Sequence, residues 1–227
     1  MVVLYTDKMQ EIVEEAFSKL MREKSEFQAK GSGWTPAAVI GMELWINKYN
    51  PLRGSTFIEL PAKIKNTKAV INVKNKDQYC FKYATWAKNI ERDPQSVSKY
   101  NTQACHMGYN WDCIAYPVEL KDIPKFERAN NISINVFGLT DKNLVYPLKI
   151  VDHELEDHRD LLYISNEITA HQCRIRNFDK LIHSQITKHC NGIFTCKRCL
   201  TYYQNECKLE EHQQLSKGIR NLGNAGS

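Results

Sequence analysis

Ile132-Ser-Ile-Asn-Val-Phe137, Val145-Tyr-Pro-Leu-Lys-Ile-Val151, Asp160-Leu-Leu-Tyr-Ile164 and His171-Gln-Cys-Arg-Ile-Arg176 follow one another with no helical run between them. Each run is short and alternates or stays apolar. Gly138, Asp141, Asn143 and Asn166 punctuate them, so they read as four strands. Working back toward the N-terminus, Asp122 to Asn130 reads as a short helix, and residues 91–112 as a loop or irregular helix. Cys80 to Ile90 reads as a helix opened by the polar segment 75–78. Phe57–Leu60 and Val70–Val73 read as short strands.

Two amphipathic helices are expected before residue 57. Met9, Ile12, Val13, Phe17, Leu20 and Met21 recur at helical spacing within residues 7–30. After a Gly31-Ser32-Gly33 break, Thr35 and Pro36 suit the cap and first turn of a helix reaching Ile46. Helices first and strands later predict an α+β chain. Residues 179–190 read as a helix leading out of that core. The expected division is an N-terminal helical region at 1–56, an α+β core at 57–187, a small ββα unit at 188–215 and a flexible tail at 216–227.

The 227 residues carry a formal net charge of +5, a mild excess compatible with nucleic acid but not diagnostic of it. The sequence has no apolar run near the roughly 20 residues of a membrane span, and residues 1–15 lack the pattern of a signal peptide. The expectation is a soluble intracellular protein, nuclear or cytoplasmic, without membrane partners. The placement of the eight cysteines agrees with this. Cys80, Cys105, Cys113 and Cys173 are scattered, whereas Cys190, Cys196, Cys199 and Cys207 crowd beside His189 and His212, which favours metal over disulfides.

Cys196-Lys-Arg-Cys199 places two thiolates on a tight turn, and twelve residues separate Cys199 from His212. Phe194, Tyr203 and Leu209 fall where a zinc finger with two cysteines and two histidines keeps its small core. Cys196, Cys199 and His212 are therefore predicted ligands of Zn2+. No His or Cys follows His212, which leaves Cys190, His189, Cys207, a water or a partner chain as the fourth ligand. Glu206, Lys208, Glu210 and Glu211 give the finger's helix mixed charge. A base-reading helix offers Arg, Asn or Gln with few acids, so a structural or protein-contact role is favoured.

A second constellation suggests thiol chemistry. Cys80 opens a helix, where the dipole and free N–H groups stabilise a thiolate and can cradle an oxyanion. His171 lies on a strand further along the chain, the order found in papain-type enzymes. Asp77, Asn177 or Asp179 could orient the imidazole. The same residues also fit a simple core, with Cys80 packed beside Phe81 and Trp86.

Gly31-Ser-Gly-Trp34, Asn47-Lys-Tyr-Asn-Pro-Leu-Arg-Gly54, Ala69-Val-Ile-Asn-Val73, Asn131-Ile-Ser-Ile-Asn-Val-Phe-Gly138, His171-Gln-Cys-Arg-Ile-Arg-Asn177 and Cys196-Lys-Arg-Cys199-Leu200 together resemble a family of sequences. They resemble the region upstream of the family-B DNA polymerase in Maverick- or Polinton-like mobile elements. The resemblance covers most of residues 31–212 and implies an element-derived chain; no polymerase motif is present. Within it, Asp77-Gln-Tyr-Cys80-Phe81 and the strand bearing His171 resemble the ovarian-tumour (OTU) class of cysteine peptidases. That resemblance implies a papain-like core with Cys80 as nucleophile and His171 as base. Gln78 stands where the class has glycine, and Gln172 where an aromatic is usual. Two functions follow as expectations. One is a zinc-containing module contacting nucleic acid or protein. The other is a thiol peptidase, of deubiquitinase type, acting on ubiquitin-like or element-encoded proteins.

Overall fold

The computed structural model describes residues 56–166, 169–188 and 192–223, together with Glu14, Phe17 and Ser18. The chain divides into two units, Tyr49–Glu211 and Met1–Lys48 with His212–Ser227. Glu14, Phe17 and Ser18 are helical; the rest of the helices expected at 7–30 and 35–46 lies outside the described residues.

The larger unit is built on a five-stranded mixed sheet. Its strands are β1 (Val70–Ile71), β2 (Ser133–Leu139), β3 (Val145–Lys149), β4 (His158–Ser165) and β5 (Ala170–Ile175), in the order β1-β5-β4-β2-β3. β2 and β4 run parallel and the other pairs antiparallel. Helices precede and follow the strands: α1 (Ala62–Asn66), α2 (Cys80–Trp86), α3 (Gln103–Met107), α4 (Ile123–Asn130) and α5 (Phe178–Ile186). The α+β class read from the sequence is the class observed.

Alternation along the strands sends two sets of side chains to opposite faces. Phe137, Leu162, Ile164, Cys173 and Ile175 pack with Ile64 of α1 and with Phe178, Leu181 and Ile182 of α5. Ile134, Val136, Leu161 and Tyr163 pack with Phe81 and Ala84 of α2 and with Ile123 and Phe126 of α4. Because both faces are covered, β2 is buried almost throughout, the polar Ser133 and Asn135 included. Each fully buried aliphatic or aromatic side chain contributes about 1.5–3 kcal/mol.

Several boundaries move for identifiable reasons. Phe57–Leu60 forms no strand, because Pro61 ends the stretch and caps α1. Its contacts are single hydrogen bonds, from the Phe57 N–H to the Asn75 carbonyl and to the Ile58 carbonyl from Asn72 Nδ2. β1 stops at Ile71, since the next residue turns its polar side chain into the core. The helix from Cys80 is α-helical to Trp86 and ends in a 3-10 turn, Ala87–Asn89. Residues 91–112 contain a 3-10 turn, Val97–Tyr100, and α3, whose Thr102 hydroxyl accepts from the Cys105 N–H. α4 ends where Asn131 adopts a left-handed conformation. α5 begins one residue before the expected Asp179, with Asn177 as its cap, and stops at Ile186.

Arg159 is fully buried on the α2 side of the sheet. Its Nε donates to the Thr85 carbonyl at 2.9 Å and its Nη2 to the Tyr109 hydroxyl at 2.7 Å, while Nη1 pairs with Asp157. Tyr109 donates in turn to Asp157 at 2.6 Å. The charge is therefore satisfied on every side, the condition for keeping it in a core.

Among the described residues no helix is long and apolar enough to cross a membrane. Beyond the core come β6 (Phe194–Thr195), β7 (Tyr202–Tyr203) and α6 (Glu206–Gly223). α6 continues past Leu215, where the sequence reading ends the finger. The division between the two units falls inside this one continuous helix.

Candidate metal centre and buried thiol cluster

β6 and β7 pair antiparallel, Phe194 with Tyr203 and Thr195 with Tyr202. At the end of this hairpin the Cys196 N–H donates to the Thr201 carbonyl at 2.9 Å, and the Leu200 N–H to the Cys196 carbonyl at 2.8 Å. Leu200 turns the chain with φ of 60°, a left-handed conformation that costs a branched residue on the order of 1 kcal/mol. Packing of its side chain against the core beside α5 offsets that cost. The turn brings Cys196 and Cys199 together, and α6 carries His212 to them. One ligand atom from each of the three lies within 4.8 Å of the others, a group that could hold a metal ion.

The donor set fits a metal of zinc type. A tetrahedral site with bonds of about 2.0–2.3 Å wants its donors about 3.5–3.8 Å apart, inside that limit. The backbone N–H groups of Cys199 and Arg198 are directed at the Cys196 sulfur and favour its thiolate. Without a cation, the hydrogen bond of the Cys196 S–H to the Cys199 sulfur, together with burial, pushes the Cys196 thiol strongly upward and keeps it protonated. A divalent cation bound here would displace the proton that Cys196 keeps in its absence. Cys207 is exposed and is not part of this group. His189 and Cys190 lie outside the described residues.

Cys80 starts α2, as expected, but it is buried, with 2 % exposure. The backbone N–H groups of Gln172, Phe81 and Cys80 itself favour the thiolate. Burial outweighs them, helped by the charge of Asp77, and pushes the thiol up to about 11. His171 sits on β5 with no exposed surface. Its Nε2 lies 2.8 Å from Oδ1 of Asn72, its Nδ1 has no hydrogen-bond partner among the described residues, and burial holds the ring down at about 4. The structure places Cys80 beside the strand that carries His171 without a hydrogen bond between the two side chains.

The other predicted members of that constellation do different work. Asp77 Oδ1 accepts from the Tyr79 N–H at 3.0 Å, and Oδ2 from the Tyr83 hydroxyl at 2.7 Å, so it fixes the entry to α2. Asn177 caps α5 through the Lys180 N–H at 2.8 Å. Asp179 accepts from the Thr195 N–H at 2.9 Å and ties β6 to α5. The residue that orients His171 is Asn72, which the sequence reading missed. Its signal was an amide inside the apolar run Val70–Val73.

A second group the reading missed is Glu154, His158 and Asp160, whose ligand atoms also lie within 4.8 Å of one another. The dense acid and histidine run between β3 and β4 was its signal. Burial opposes the charge of Asp160. Hydrogen bonding from His158 and the ammonium of Lys197 overcome burial and hold the carboxyl down at about 2.

No protein-family model, curated protein or solved structure matches the chain.

Proposed function

We propose that the chain is a zinc-stabilised contact module of mobile-element origin, in which a C-terminal ββα finger is mounted on an α+β core and serves protein or nucleic-acid contacts. The observation that carries this reading is the convergence of Cys196, Cys199 and His212 on one point. Zinc suits two thiolates and an imidazole better than magnesium or calcium, which prefer oxygen. The metal would hold the hairpin to α6, a job that two-residue strands are too short to do alone.

Metal analysis of the full chain after dialysis against a weak chelator tests the reading. One zinc per chain is expected, and Cys199→Ser should lose it. A chain that retains no zinc at equimolar supply sinks the reading.

A second reading, an active thiol peptidase of OTU type, draws support from the imidazole. With Nε2 held by an amide oxygen, Nδ1 is left as the basic nitrogen. Burial of Cys80 speaks against it, because thiol catalysis needs an accessible, ionisable sulfur. A thiol-reactive ubiquitin probe separates the two readings. Labelling that disappears in Cys80→Ala supports the peptidase; unlabelled protein supports the contact module.

A further inference from the structure

The turn that carries the two cysteines is fastened to the sheet by the residues lying between them. Lys197 places its ammonium 2.8 Å from Glu154 and 2.7 Å from Asp160. Arg198 donates to the Asp152 carboxylate at 2.9 Å and to the Val151 carbonyl at 3.1 Å. The receiving pocket is itself ordered. His158 Nδ1 lies 2.8 Å from the Ser133 hydroxyl, and its Nε2 faces Asp160 at 3.0 Å and Glu154 at 3.4 Å. Asn135 Nδ2 donates to Asp160 Oδ1 at 3.0 Å. Lys197 and Arg198 are the two residues between the predicted ligands, so both are committed to the segment 151–160.

We propose that this acidic pocket is the seat of the metal turn. Glu154 and Asp160, with Asp152 at the rim, act as positioning residues that hold Cys196 and Cys199 ready to ligate. The inference rests on reading Cys196, Cys199 and His212 as a metal site. The turn conformation that gathers the sulfurs is the one that lays Lys197 and Arg198 on the sheet. Whatever favours one favours the other, and by linkage the two effects are equal in size. A turn already seated before the metal arrives has less freedom to lose on binding. Partners that orient metal ligands change affinity about 10–100-fold when removed. Charge pairs half open to water belong at the lower end of that range.

The test is zinc affinity of the full chain, measured by competition with a chromogenic chelator. Glu154→Gln combined with Asp160→Asn should bind zinc about tenfold more weakly than wild type, still at one per chain. Lys197→Met should show a similar loss, and all three changes together little more, because they remove one interaction. Asp152→Asn, on an exposed side chain, should lose about two- to threefold, and it keeps the test open if the double variant fails to fold. Stripping zinc from wild type should also speed amide hydrogen exchange across residues 151–160. Wild type with one tight zinc, variants within error of it and unchanged exchange would overturn the seat while leaving the metal site standing. A wild-type chain that binds no zinc overturns the metal reading, and the seat falls with it.

Discussion

Asn72 Oδ1 accepts from His171 Nε2 at 2.8 Å, joining the point where β1 ends to the start of β5. The direction of that bond is set by the other end of the amide. Asn72 Nδ2 donates to the Ile58 carbonyl at 2.9 Å, so the oxygen faces the ring and the imidazole proton sits on Nε2. The Cys173 thiol donates to the same oxygen at 3.4 Å. One amide therefore serves the backbone before α1, a buried ring and a buried thiol.

Replacing that amide with a hydrocarbon of similar size should be costly. Asn72→Leu leaves His171 with neither ring nitrogen paired and orphans the Ile58 carbonyl. The expected loss is about 2–4 kcal/mol, read from the urea midpoint. A loss under about 0.5 kcal/mol, the size of an ordinary surface change, would contradict the burial assigned to this group.

Stability should also fall with pH through the same ring. His171 is held neutral in the folded chain, with its pKa lowered from 6.5 to about 4 by burial. Between those values the unfolded chain takes up a proton that the folded chain refuses. The contribution is fully present above pH 6.5 and is lost as pH falls toward 4. Its size is on the order of 3 kcal/mol. Ring nitrogen shifts from NMR should report a neutral His171 at pH 5, and a charged ring there would refute the assignment.

Thiol mapping should sort the cysteines by place. In metal-free native protein, Cys199 and Cys207 should react readily with a maleimide, while Cys80, Cys105 and Cys173 should not, since they are buried. Adding zinc should protect Cys199 and leave Cys207 reactive. Protection of Cys207 would instead make it the fourth ligand.

Arg159→Leu should destabilise the core by about 3–5 kcal/mol, because Asp157 and Tyr109 lose their shared partner. Asp157→Leu in the same chain should recover part of that loss. Full additivity of the two changes, measured by denaturant unfolding, would show that the pair is not coupled.

The runs at β2, β4 and β5 were legible because both faces of the sheet are covered there, whereas β3, a partly buried edge strand, was legible from its apolar residues and the turn residues around it. The convergence of Cys196, Cys199 and His212 was legible for a different reason: ligand chemistry constrains residue type and spacing without help from the rest of the fold. Phe57–Leu60 misled because its apolar character serves packing against the core and not a ladder. Asn72 and the Glu154, His158 and Asp160 group were missed because their meaning depends on partners far along the chain, Ile58, His171 and Lys197. Spacing within one stretch cannot express that. Asp77 and Asn177 were read as groups that could orient the imidazole, but a carboxylate or amide that holds the entry to a helix looks the same in sequence as one that orients a ring.

Among the described residues, β1 has a single neighbour in the sheet, β5. During synthesis on a ribosome, Val70 and Ile71 must therefore wait until Ile175 has left the exit tunnel before they can pair. Until then the first strand stands as an open apolar edge, while β2 and β3 can already form their hairpin. A nascent chain stalled short of β5 would be the form most in need of a chaperone, and the form a protease would remove first.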